Sequence, residues 1–209
     1  MKSIGCKFSL YVFENSDTFD ISQCTDKYKK EFEKNSNWLK FGFHALNTNS
    51  DYSKDNNEID KDYKKVINNL IRIVGEKSIT NTIRIEKFLL NKQNAIKLSK
   101  ISENLKLLGA DTKDREDYFL NNYENDILFK NDEYYNEETD IIIYNTDLRI
   151  EKMDQFNIAK NLDELNDNNL IIFTHEWMFN GLKNRILTKL KIEEICKYAI
   201  NNGYRFDYP

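Results

Sequence analysis

Short apolar runs alternate with stretches of helical periodicity along the whole chain, and this alternation restricts the fold more than any other feature. The strongest helical stretch is 61–74. There Tyr63, Val66, Ile67, Leu70, Ile71 and Val74 form one apolar face at a period of about 3.6 residues. Gly75 stands where such a helix ends. Residues 92–108 read as a second helix, with Ala95, Leu98, Ile101, Leu105 and Leu108 inward and Gly109 just after it. Residues 189–200 read as a third, with Ile192, Ile195, Cys196, Ala199 and Ile200 inward. Residues 22–35 have helical character, with Ser22 or Thr25 as the cap.

Between these lie strand-like runs at 7–13, 38–43, 81–85, 141–144 and 170–173. The last, LIIF, is continuously apolar and predicts a strand buried on both faces. Residues 203–206 fit a closing strand. Residues 112–139 are polar and irregular, a long excursion with short strands, and the acidic stretch 131–140 reads as a solvated loop. Strand and helix in alternation predict an α/β protein with a mainly parallel sheet or barrel and helices outside. A length of 209 residues predicts one domain, 1–209.

The charge balance narrows the function classes. Thirty-one Lys and Arg stand against 35 Asp and Glu, a net charge of −4. A mildly acidic chain without clustered Lys and Arg is a poor nucleic-acid binder. No run approaches the ~18 apolar residues of a membrane span. Cys6, Cys24 and Cys196 match no zinc or redox spacing; Cys6 and Cys196 read as small buried residues. With no signal-like segment at the start, the expected compartment is the cytoplasm. Phosphate-binding glycine loops, nucleophile elbows and paired-cysteine motifs are all missing from the sequence.

Parallel folds place chemistry just past the carboxyl ends of strands. Both of the chain's histidines stand there: His44 after WLKFGF and His175 after LIIF and Thr174. Histidine titrates near neutral pH and binds metals, so each is a candidate acid–base group or ligand; each also fits a hydrogen-bonded structural role. Arg84 ends the strand 81–85. Asp111, Asp114 and Arg115 follow Leu108, and Asp147 and Arg149 follow IIIY. An Asp beside a strand-end His orients the ring, and Arg149 suits a carboxylate or sugar hydroxyls; surface ion pairs are the alternative. Trp38 and Trp177 suit stacking on a sugar ring, or plain packing.

These segments together resemble the polysaccharide deacetylase family. KFSLYVF is similar to that family's second strand, WLKFGFHA at 38–45 to its histidine motif, and IIFTHEW at 171–177 to the late strand carrying a catalytic histidine. IRIEKF at 83–88 falls where the family has an arginine motif, and GADTKDRED at 109–117 resembles an aspartate-rich segment. The resemblance implies a distorted (β/α) barrel that removes acetyl groups from sugars with a divalent metal such as zinc. It implies His44 as metal ligand, His175 as general acid, Asp111 as its partner and Arg84 as an orienting group. Trp38, Trp177, Asp147 and Arg149 then become carbohydrate-binding candidates.

The chain departs from the family pattern in three places. The family's first strand and its Asp pair have no counterpart. The second metal histidine's position is Thr48, and the arginine motif has Glu86 in place of proline. Two expectations therefore stand side by side. One is a deacetylase-like hydrolase whose metal site is rebuilt with carboxylates such as Asp51. The other is an inactive barrel that binds a glycan or a protein partner. A third reading, an interaction protein, would use 112–139 as its contact surface.

Overall fold

The structure is a computed structural model, and it describes every residue except 1, 3, 4, 56, 57, 116, 117, 155 and 166–168. The amino-terminal part runs through β1 (Phe8–Phe13), the hairpin β2 (Asn15–Ser16) and β3 (Phe19–Asp20), and α1 (Lys29–Lys34) to β4 (Leu39–Ala45). Then come α2 (Ile59–Val74), β5 (Thr82–Ile83), α3 (Lys92–Ser99), β6 (Lys106–Leu108), α4 (Asn122–Asn131), β7 (Glu133–Asn136) and β8 (Ile141–Tyr144). The last elements are β9 (Leu148–Arg149), α5 (Ile158–Asp163), β10 (Ile172–Phe173) and α6 (Leu182–Asn201).

The strands form small sheets: β1–β4, β2–β3, β9–β10, and a four-stranded sheet in the order β5–β6–β8–β7. All pairs except β2–β3 and β7–β8 are parallel. Single backbone hydrogen bonds join neighbours. Thr80 and Arg84 N–H donate to the carbonyls of Phe41 and Phe43, tying β5 to β4. Thr146 N–H donates to the Ala110 carbonyl, and Asp147 N–H to that of Ile171, tying β6, β8 and β10 together. The order is thus β1, β4, β5, β6, β8 with β9, β10, carboxyl ends on one side. None of the sheets closes on itself. The architecture is mixed α/β, with six α-helices among the described residues.

The core follows from side-chain alternation. Phe41, Phe43 and Ala45 of β4 point into a cluster with Tyr63, Val66 and Leu70 of α2 and with Ile83, Leu107, Ile141 and Ile143 of the sheet. Fully burying one such side chain contributes roughly 1.5–3 kcal/mol. Because successive strand residues face opposite sides, His44 is turned to the other face. There Phe13 packs on it at 4.5 Å. A second cluster joins Cys6, Ile150, Met153, Ile158, Leu162, Ile192, Ile195 and Cys196 around α5 and α6. Cys6 and Cys196 are buried as expected, and their sulfurs lie 2.8 Å apart.

Several elements differ from the sequence expectation. The helix expected over 92–108 ends at Ser99, and Lys106–Leu108 is an inner strand of the four-stranded sheet. Asn104 turns the chain with φ 54°, and Leu105, Leu107 and Leu108 are all buried. A run buried on both faces has no alternation with which to declare itself a strand. The acidic stretch is not simply a loop: 133–136 is an edge strand antiparallel to β8. The preceding excursion holds α4, started by a capping box between Asn121 and Glu124. The helix expected at 22–35 is reduced to a 3₁₀ turn, capped by Asp20, and the short α1. β10 is two residues long and only half-buried. Residues 203–206 form no strand.

Candidate functional site

The parallel order gathers six of the predicted residues beside neighbouring strand ends. His44 is the penultimate residue of β4, Arg84 follows β5, and Asp111 stands three residues beyond β6. Asp147 follows β8, Arg149 ends β9, and His175 is two residues past β10.

His44 is buried, with both ring nitrogens facing acceptors. Nδ1 contacts the carbonyl of Arg84, and Nε2 lies 3.0 Å from Glu86 Oε2. Both contacts are hydrogen bonds only if Nδ1 carries a proton and a second proton sits between Nε2 and Oε2. Burial works to raise the Glu86 pKa. The His44 hydrogen bond and the charges of His44, Lys87 and Arg84 outweigh it and hold the carboxyl below its ordinary value.

His175 has the more open arrangement. Glu151 Oε1 accepts from its Nδ1 and from its backbone N–H, both at 2.7 Å, and from Thr174 Oγ1 at 3.3 Å. Nε2 has no hydrogen-bond partner among the described residues. One face of the ring lies flat on Trp177, with centroids 3.9 Å apart. The other carboxylate oxygen, Glu151 Oε2, is buried and has no hydrogen-bond partner among the described residues.

Asp111 is the anionic centre of the cluster. Its side chain is 4% exposed and takes Arg115, Arg149 at 3.1 Å and Lys152 at 2.9 Å. Burial alone would raise its pKa. Hydrogen bonds from Lys152 and Arg149, with the charges of Arg115 and Arg149, reverse that and lower it to about 2. Asp111 is thus committed to three cations and does not partner either histidine, as the sequence reading had it. The 3₁₀ turn Ile150–Lys152 divides the work: Arg149 and Lys152 reach Asp111, while Glu151 reaches His175.

Two predicted sugar contacts lie elsewhere or are engaged. Trp38 precedes the amino end of β4, opposite to His44, where it donates to Asn35 and meets Phe8 edge-on. Strand rise alone puts it roughly 20 Å from His44 along β4. Asp147 accepts the Ile171 N–H at 2.5 Å and so pins the approach to β10. Asp51 is held by Ser53 and Lys54. The Thr48 carbonyl accepts from Lys87. A groove of about 330 Å³ beside α5 and α6 has Phe156, Glu194, Lys197 and Tyr198 in its wall and none of the predicted residues.

The metal expectation can be tested on the donors. A metal-binding histidine commonly gives Nδ1–H to a carbonyl and offers Nε2, as His44 does toward Glu86. Zinc sites use three or four protein donors. Among the described residues, no group of three or more His, Cys, Asp and Glu stands close enough to hold a metal ion. His44 and Glu86 are two donors, so the residues described do not fit the family's metal site.

Comparison with models of known protein families, with curated proteins and with solved structures found no match. Sequence reasoning missed Glu86 and Glu151 as the carboxylates paired with the histidines. Each sits two residues past a strand-end arginine, Arg84 or Arg149, which is the only local signal. It also missed Phe88 and Phe173, whose ring centroids lie 4.8 and 4.5 Å from the Arg84 guanidinium.

Proposed function

We propose that this chain is a hydrolase acting on acetylated carbohydrate, built as an open, distorted relative of the (β/α) barrel, with His175 moving the proton. One observation carries the reading: His175 has Nδ1 on a carboxylate, Nε2 without a partner among the described residues, and a strand-end position. Glu151 accepts Nδ1–H, so the basic nitrogen of the neutral ring is Nε2. Water attacks the acetyl carbonyl as its proton passes to Nε2. The bond from that carbonyl to the sugar oxygen or nitrogen then breaks, and Nε2 returns the proton to the leaving group. Acetate and the free sugar are the products. The indole of Trp177 is 49% exposed while its stacked face holds His175, which leaves surface for a sugar ring.

A second reading is favoured by His44, whose two nitrogens are both engaged and whose donor set stops at Glu86. In it the strand-end site binds a glycan without turning it over. Acetate release from acetylated oligosaccharides, with and without added divalent metals, separates the two. Hydrolysis by the wild type that falls roughly 10²–10⁴-fold in His175→Ala supports the first. Calorimetric binding with no acetate release under any metal supports the second. Neither binding nor release overturns both.

A further inference from the structure

Arg84 carries its charge into a mostly buried place where, among the described residues, no carboxylate pairs with it directly and Glu86 acts on it only from beyond ion-pair distance. The residue is 9% exposed, and its Nε is buried without a hydrogen-bond partner among the described residues. Its guanidinium has no ion pair among the described residues. Glu86, two residues on, is turned to His44 and Lys87. Two aromatic rings lie against the guanidinium, those of Phe88 and Phe173. Burial pulls the Arg84 pKa below its ordinary value; Tyr118, Glu86 and Tyr11 oppose that shift and Arg115 adds to it.

The neighbours extend the same imbalance. Arg149 lies over Phe173 at 5.6 Å, and its Nε is also buried without a partner. Arg115 lies over Phe88 at 5.6 Å. The nearby carboxylate, Asp111, already serves Arg115, Arg149 and Lys152. A buried charge normally comes with a partner, and removing it from water unpaired is costly. A guanidinium whose planar donor fork is unfilled matches the geometry of a carboxylate, sulfate or phosphate.

We propose that Arg84, with Arg149 over the same Phe173 ring, receives an oxyanion borne by the ligand, so that the strand-end site selects an acidic sugar over a neutral one. The inference rests on the reading that the site takes carbohydrate. A uronic acid carboxylate and a sulfate or phosphate ester present the same chemistry to Arg84. A neutral sugar would leave the guanidinium buried and unpaired, and polar sites of this kind reject analogues that lack the matching group.

The test is calorimetry on the whole chain with matched ligands: a glucose oligosaccharide, the glucuronic acid oligosaccharide of equal length, and glucose 6-sulfate and 6-phosphate against glucose. The expected result is a preference for the acidic ligand on the order of tenfold or more, about one extra charge-assisted contact. That ratio should fall toward unity in Arg84→Met and be partly kept in Arg84→Lys. The carboxylate and ester arms identify the source of the oxyanion. Inorganic sulfate should compete with the acidic ligand and not with glucose, a measurement that needs no variant if Arg84→Met fails to fold. Equal affinity for acidic and neutral sugars, an unchanged ratio in Arg84→Met, or no binding by either ligand overturns the proposal. Because the readout is binding, the two claims fail separately. Acidic preference without acetate release sinks the hydrolase reading alone. Acetate release with equal affinities sinks this inference alone.

Discussion

His175 lies flat on Trp177, ring planes within 10° of parallel, while Glu151 Oε1 holds the same imidazole through Nδ1 at 2.7 Å. The ring is fixed on one face and at one edge, which leaves Nε2 as the outward nitrogen. Glu151→Ala removes the acceptor for Nδ1, the His175 backbone N–H and Thr174. Acetate release should fall by at least about tenfold and by no more than the His175→Ala loss, since Glu151 acts through that ring. Glu151→Gln should recover part of it. The double variant with His175→Ala should be no slower than His175→Ala alone, because the two act as a unit. Additive losses would separate Glu151 from His175. Trp177→Ala should cost at most about 1.5 kcal/mol in denaturant unfolding, since the stacking is at an exposed edge.

Asp111 makes stability depend on pH in the acid range. Its folded pKa, about 2, lies below the ordinary aspartate value of 3.8. A carboxyl depressed on folding contributes stability above the unfolded value and loses it as pH falls through the folded one. Wild-type stability should therefore decline between about pH 4 and pH 2, partly through this group. Asp111→Asn should flatten that decline and lower stability at neutral pH by about 3 kcal/mol, because Arg149 is left partly buried without its partner. Urea unfolding at a series of pH values reads both effects.

The three cysteines should separate by reactivity. Cys24 is exposed, whereas Cys6 and Cys196 are buried against each other. Burial and the neighbouring Cys6 push the Cys196 thiol up to about 12, so it stays protonated at neutral pH. The thiolate is the nucleophile. Brief alkylation of the native protein should therefore modify Cys24 alone, with all three reacting in denaturant. Mass spectrometry counts the adducts, and early labelling at Cys196 would contradict the packing around α6.

Gly42 sets how closely β4 approaches its neighbours. A Cβ there would lie 2.8 Å from the Thr82 carbonyl oxygen and 2.9 Å from the Tyr11 ring. The first contact is backbone and cannot swing aside. Gly42→Ala should destabilise the protein by roughly 1–3 kcal/mol, the usual cost of overpacking, with a matching drop in thermal midpoint. A neutral effect would mean that β4 and β5 can separate freely.

Local pattern carried a large part of the fold. α2 was legible because its buried residues, Ile59, Tyr63, Val66, Leu70 and Val74, repeat on one face and the chain turns at Gly75 with φ 83°. β1, β4 and β8 were legible as compact apolar runs. Leu105–Leu108 was not, since Leu98, Ile101, Leu105 and Leu108 also satisfy helical spacing. What decides between them is the vacancy between β5 and β8, which lies in other parts of the chain. Polar β7 was hidden too, because an edge strand beside β8 needs only one partner and little apolar surface.

The sequence by itself determined the alternation of strands and helices and placed both histidines at strand ends, because periodicity and the residue after a strand are properties of neighbouring positions. Tertiary structure alone decided which charges meet. His44 meets the Arg84 carbonyl 40 residues away, His175 meets Glu151 across 24, and Asp111 gathers Arg149 across 38. Charged side chains carry no periodic signature of their partner, so ion pairing is set by which strand ends the hydrophobic layer brings side by side. The same layer sets Arg84 against Phe88 and Phe173 with no ion pair among the described residues.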